Sequence, residues 1–283
     1  MLKTAAILDT DFTIKTASTM NSKGEYLADI VLKLSYAFYC HEQNRKELTD
    51  YSGIASGWLE AKINTKTVVC MSDLQLLQKI KESYKISQIT AVRFYSDWLK
   101  LACDVFSKSF YETYYYEVEK LKSKTDEISD EEFLKAIQAG DLSVGEGKNL
   151  GEIKDTVLAI VLTQCLQLKC INFCSDDNRA RRSLLSFSDK NSFPIKSISY
   201  MGFYWIAKQK NLLMKEEQVD FIDGYKKFIK TSNLNITIKT HINNRNQPDY
   251  PKINIDDLFN LIWNDEVILM NDGYLVYKSE LPK

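Results

Sequence analysis

The sequence predicts an α/β protein of three layers: a central parallel sheet between helices, a helical insertion at about 66–135, and a small α+β appendage at the end. Three observations predict it. Ala5 to Asp9 (AAILD) is a short unbroken apolar run, the pattern of a parallel strand buried on both faces. A long apolar helix opens near Asn149 and runs into a second such strand, Cys170 to Cys174, which stops at Ser175-Asp176-Asp177. From Leu234 the texture changes, with Leu234, Ile236 and Ile238 alternating with polar residues as in a half-exposed strand. The boundaries that follow are 1–232 for the α/β unit and 233–283 for the appendage.

The elements between these landmarks follow from local chemistry. Gly24 to Tyr39 has helical spacing of Leu27, Ile30, Val31, Leu34 and Phe38, and His41-Glu42 ends it. A second helix carries Glu47-Leu48 towards Glu60. Lys66 to Met71 reads as the second strand, and Ser72-Asp73 starts the helix Leu74 to Tyr84. Gln88 to Lys124 is helical and rich in aromatics, either a base-stacking platform beside its lysines or, as such stripes usually are, the core of a helical hairpin. Ser129 and Glu132 form a capping box for a helix ending near Gly140. The loop Asp141 to Lys148 lacks the phosphate-loop pattern. Asn149 and Glu152 repeat the capping spacing. A basic helix follows Asp177, then a strand at Phe193 to Ser197 and helices at Tyr200 to Lys210 and Lys215 to Thr231. In the appendage, Asn243 to Pro251 is a loop, Asp256 to Trp263 a helix, and Glu266 to Lys278 a hairpin turning at Asn271-Asp272-Gly273.

Composition narrows the function classes. At 283 residues, 45% hydrophobic and 27% charged, the chain suits one large folded domain with an appendage. A net charge of −1 gives no global field for nucleic acid, so a nuclease would need a local basic patch. Six Cys without a Cys-x-x-Cys pair, and only His41 and His241, argue against zinc. No secretory leader or membrane span is apparent, so a cytoplasmic setting without membrane partners is expected.

The carboxylates carry the chemistry. Asp9 and Asp11 follow the first strand, Glu47 lies on a helix, Glu152 and Asp155 share a face of the long helix, and Asp176 and Asp177 follow the second landmark strand. Each has a plain alternative as a helix cap or dipole partner. Acids gathered beyond strand ends are also what holds hard cations such as Mg2+ or Mn2+. Two such ions, about 3.5–4 Å apart, activate water and stabilise the leaving oxygen in phosphodiester hydrolysis.

The residues Ile7-Leu8-Asp9-Thr10-Asp11, Glu47-Leu48, Gly151-Glu152 opening an apolar helix, and Ser175-Asp176-Asp177-Asn178-Arg179-Ala180-Arg181 together resemble the PIN-like nucleases, especially the stand-alone bacterial type linked to toxin modules. The segment from Tyr200 to Leu213 is similar to that type's next helix and turn. The resemblance covers about 1–65 and 140–232, leaving the aromatic stretch and the last fifty residues outside it. It implies catalytic acids at Asp9, at Glu47, at Glu152 or Asp155, and at Asp177 in preference to Asp176; Asp11, beside the first of these, joins the candidate metal ligands. The function expected is a metal-dependent endoribonuclease in which Thr10 and Ser175 orient ligands and Arg179, Arg181 and Arg182 contact RNA phosphates. A regulatory protein partner accompanies that expectation. The alternatives are a non-catalytic nucleic-acid or protein-binding module, or a structure-specific DNA nuclease.

Overall fold

The structure, a computed structural model, describes residues 4–34, 37–145, 149–228, 235–240 and 250–281. Five strands form one parallel sheet: β1 (Thr4–Leu8), β2 (Ala37–His41), β3 (Val68–Met71), β4 (Cys170–Cys174) and β5 (Ile195–Ile198), in the order β3-β2-β1-β4-β5. Successive side chains of a strand point to opposite faces. Ala5, Ile7, Ile171, Phe173 and Ile195 therefore enter one core, and Ala6, Leu8, Phe38, Cys40, Cys174 and Ile198 the other.

Helices cover both faces. The second core is closed by α1 (Thr10–Ala17), α2 (Leu27–Leu32), α3 (Glu42–Tyr51) and α4 (Gly53–Asn64). The first is closed by α5 (Asp73–Tyr84), α6 (Gln88–Asp104), α7 (Phe110–Tyr114), α8 (Tyr116–Lys122), α9 (Asp130–Val144), α10 (Leu150–Leu166) and α11 (Asn178–Asn191). The chain then returns to the second face with α12 (Tyr200–Gln209) and α13 (Gln218–Lys226). The appendage adds the antiparallel pair β6 (Asn235–Thr237) and β7 (Lys252–Asn254), helix α14 (Ile255–Trp263), and the hairpin β8 (Val267–Leu269) and β9 (Leu275–Tyr277). Gly273 takes the left-handed φ of 78° that the hairpin turn needs. Its helix packs Leu258, Phe259 and Ile262 into the same core as α12. Three layers around a parallel sheet are thus what the apolar strand runs predicted.

Several elements differ from expectation. The helix expected from Gly24 to Tyr39 ends at Leu32, and Ala37–His41 is the strand β2 between β1 and β3. Phe38 satisfies helical spacing and strand alternation alike, and pairing on both edges decides for the strand. Lys66 to Met71 therefore supplies the third strand, at the edge of the central sheet. The helix through Glu47 to Glu60 is two helices, broken at Ser52, whose hydroxyl accepts from Ala55 N and caps the second. Helix α9 runs past Gly140 to Val144; a Cβ at Gly140 would collide with the Tyr115 ring, so this glycine serves packing and not a helix end. The strand expected at Phe193 to Ser197 starts two residues late, at Ile195, and Lys215–Glu217 is a 3-10 turn preceding α13. Glu146–Lys148, Thr231, Leu234 and most of the loop from Asn243 lie outside the described residues.

The aromatics of α6 to α8 mainly fill a core. Tyr95, Tyr111 and Tyr115 are buried, and Tyr95 meets Phe133 edge to face at 5.0 Å. The six cysteines are free thiols. Among the described residues no helix is long and apolar enough to cross a membrane.

Candidate active site

The strand order reverses direction between β1 and β4, which opens a crevice at their carboxyl ends, where open α/β sheets bind ligands. Leu8 and Cys174 are in register there. Asp9 N donates to Cys174 O at 3.0 Å, and Ser175 N to Ile198 O at 3.1 Å. Asp9 and Ser175 therefore leave the sheet side by side. Asp9 occupies the N-cap position of α1, yet its side chain makes no capping bond. Asn149 takes a left-handed φ of 60° and likewise makes none, so Glu152 closes no capping box. Neither Asp9 nor Glu152 therefore acts as the cap it was expected to be. Asp177 does cap α11, with Oδ1 accepting from Arg179 N and from Ala180 N at 2.6 and 3.1 Å.

Helices α3 and α10 bring the remaining acids. Glu47 Oε2 accepts from Thr10 Oγ1 at 2.7 Å, and its Oε1 from Gln43 Nε2 at 3.1 Å. A Cβ at Gly151 would lie 3.0 Å from both Glu47 oxygens, so the missing side chain lets Glu47 rest against the first turn of α10. Asp155, wholly buried, accepts from Asn44 Nδ2 at 3.0 Å through Oδ2, and its Oδ1 has no partner. His41 sets this helix: its Nδ1 accepts from Gln43 N at 3.0 Å and caps α3.

Crowded, buried carboxylates resist ionisation. Burial, then the charge of Glu152, pushes the Asp9 carboxyl up to about 8, against the pull of a Ser175 hydrogen bond. Burial also raises Glu152; its own backbone hydrogen bond opposes, the charges of Glu47 and Asp177 add, and Arg179 relieves. Asp155 is raised well above the carboxylate range by burial and then by Asp9, with Glu47 and Glu152 adding and Asn44 opposing. Five acids from four separate segments thus feel one another. They are hard oxygen donors, and the orphaned Asp155 oxygen is a buried acceptor wanting a proton or a cation. Among the described residues no group of three or more His, Cys, Asp or Glu side chains is arranged to hold a metal ion.

The other expected ligands sit differently. Lys15 Nζ bridges Asp11 Oδ2 at 2.8 Å and Asp176 Oδ2 at 2.7 Å, and Tyr200 N donates to Asp176 Oδ1 at 3.1 Å. One lysine charge is thus shared between those two carboxylates. Of the three arginines, Arg179 is exposed near Glu152, but Arg181 is buried, donating to Gly273 O at 3.2 Å beneath the Tyr274 ring. Arg182 Nε donates to the Tyr274 hydroxyl at 3.0 Å. Arg181 thus joins the α/β unit to the appendage hairpin and does not face solvent. The residues missed were Lys15, Gln43 and Asn44. Lys15 was legible as the i+4 partner of Asp11, whereas Asn44 acquires its role only when α3 packs on α10. No protein-family model, curated protein or solved structure matches the chain.

Proposed function

We propose that this chain is a metal-dependent endonuclease on a PIN-like scaffold, acting first on RNA, with Asp9, Glu152 and Asp177 as ligands of Mg2+ or Mn2+. The observation that carries it is the unpartnered, buried Asp155 oxygen among acids that arrive from β1, α3, α10 and the end of β4. Only bound protons or a bound cation make that crowding tolerable at neutral pH. A divalent ion there would supply an activated water and stabilise the leaving oxygen.

The chain's own residues do the rest. Thr10 and Gln43 hold Glu47 from two sides, which orients it beside Glu152. Asn44 holds Asp155, and Ser175 steadies Asp9. Asp177 is held rigid by its cap, with Oδ1 engaged and the carboxylate at the exposed rim. Arg179, exposed two residues on, is placed to meet a substrate phosphate. The test is an assay on mixed RNA and DNA with manganese or with chelator, comparing wild type and Asp177→Asn. Manganese-dependent RNA cleavage lost in the variant supports the proposal, and preference for DNA moves it to a DNA nuclease. Cleavage of neither leaves a non-catalytic module.

A further inference from the structure

With a net charge of −1, the chain attracts a polyanion only through a local patch. A cleft of about 650 Å³ supplies one, between α11 and the last turn of α6 with the turn that follows. Lys100, Lys108, Arg182 and Lys190 line it against a single carboxylate, Asp104. Two of the cations come from the aromatic stretch that lies outside the PIN-like resemblance.

One face of α11 runs from the acid cluster to the cleft. Arg179, Ser183, Ser186 and Lys190 follow the 4-3-4 spacing of one helix face. The last three line the cleft, while Arg179 stands at the cluster end, its charge opposing the upward shift of Glu152. That face is about 16 Å long at 1.5 Å per residue, the span of a few nucleotides. Lys108 and Lys190 are exposed and enter no ion pair among the described residues. Lys100 is paired with Glu112 and Arg182 with the Tyr274 hydroxyl, so those two are held in place. Leu101, exposed beside Val105, gives the cleft an apolar wall for bases or sugars.

We infer that this cleft is the track along which a single nucleic-acid strand reaches the carboxylates, its phosphates neutralised chiefly by Lys108 and Lys190. The strand's destination, though not its binding, rests on the nuclease proposal. The test is fluorescence anisotropy with a labelled oligoribonucleotide of about ten nucleotides, in chelator, over a range of salt. The Lys108→Ala/Lys190→Ala double variant is expected to bind about tenfold more weakly, with a log K against log salt slope shallower by about 1.4, or 0.7 per phosphate contact. Lys33→Ala, on the opposite helical layer, is expected to match wild type. With manganese the double variant raises KM and keeps kcat. The inference is overturned if the double variant binds like wild type, if Lys33→Ala weakens binding equally, or if duplex competes better than single strand. Binding lost in the double variant without any cleavage by wild type keeps the track and removes the nuclease. Cleavage with an unchanged KM does the reverse.

Discussion

Asp155 accepts one hydrogen bond, from Asn44 at 3.0 Å, and its second oxygen is buried with no partner. A carboxyl in that position repels Asp9 and costs the metal-free fold stability. Asp155→Asn removes the charge with little change of shape. The variant is expected to melt several degrees higher than wild type without metal, at about 2–4 °C per kcal/mol for a chain of this size. It is also expected to gain less from added manganese. Thermal melts with and without the ion check both.

Asp177 caps α11, and asparagine caps about as well as aspartate. Asp177→Asn is therefore expected to leave the denaturation midpoint within about 0.5 kcal/mol of wild type, whereas Asp177→Ala loses about 1 kcal/mol. Manganese-dependent cleavage falls by about two orders of magnitude or more in both. Urea titrations beside initial rates separate the cap from the ligand.

The pH dependence has two limbs. Asp9, Glu152 and Asp155 have raised carboxyls, so the folded chain keeps protons that the unfolded chain has lost. Their contribution is full below about pH 4 and falls as pH rises towards about 8, where Asp9 gives up its proton. Asp73 works in the opposite sense. Burial opposes, but the charges of Lys154 and His41 hold its carboxyl far below the usual range. Its contribution is present above about pH 4 and is lost as pH falls further. Metal-free melting temperature is thus expected to decline from pH 5 to pH 8, and manganese to restore it most at pH 8.

Lys154, on the same helix as Glu152, is wholly buried and pairs with Asp73 and Asp141, each at 2.9 Å. Lys154→Ala strands two carboxylates, one at the start of α5 and one on α9. The expected loss is about 3–5 kcal/mol, the cost of breaking a buried pair from one side, read from the urea midpoint.

Gly151→Ala probes the site without removing a charge. Its Cβ would sit 3.0 Å from both oxygens of Glu47, which must then move. Cleavage is expected to drop about tenfold with a melting temperature near that of wild type. An unchanged rate would show that Glu47 does no work in the site.

Much of the fold was legible because β1 and β4 are apolar runs stopped abruptly by acids. The hairpin of β8 and β9 announced itself through Asn271-Asp272-Gly273. Strand β2 was hidden because Phe38 fits two periodicities, and only its neighbours on both sides choose between them. At the site, Asp9 and Glu152 were legible from their places at element ends. What Asp11 and Asp176 do depends on Lys15 reaching both, and what Arg181 does depends on a turn 92 residues away. Such pairings arise from tertiary packing and leave no local spacing to read.

The central claim is that Asp9, Glu152 and Asp177 hold one divalent cation at the crevice between β1 and β4. Diffraction from crystals grown with manganese, recorded at its absorption edge, tests it most directly. The account predicts an anomalous peak within ligand distance of Asp9 and at least one of Glu152 and Asp177, absent in Asp9→Asn crystals. A well-ordered crevice with no peak, in crystals soaked at millimolar manganese near pH 8, would contradict it.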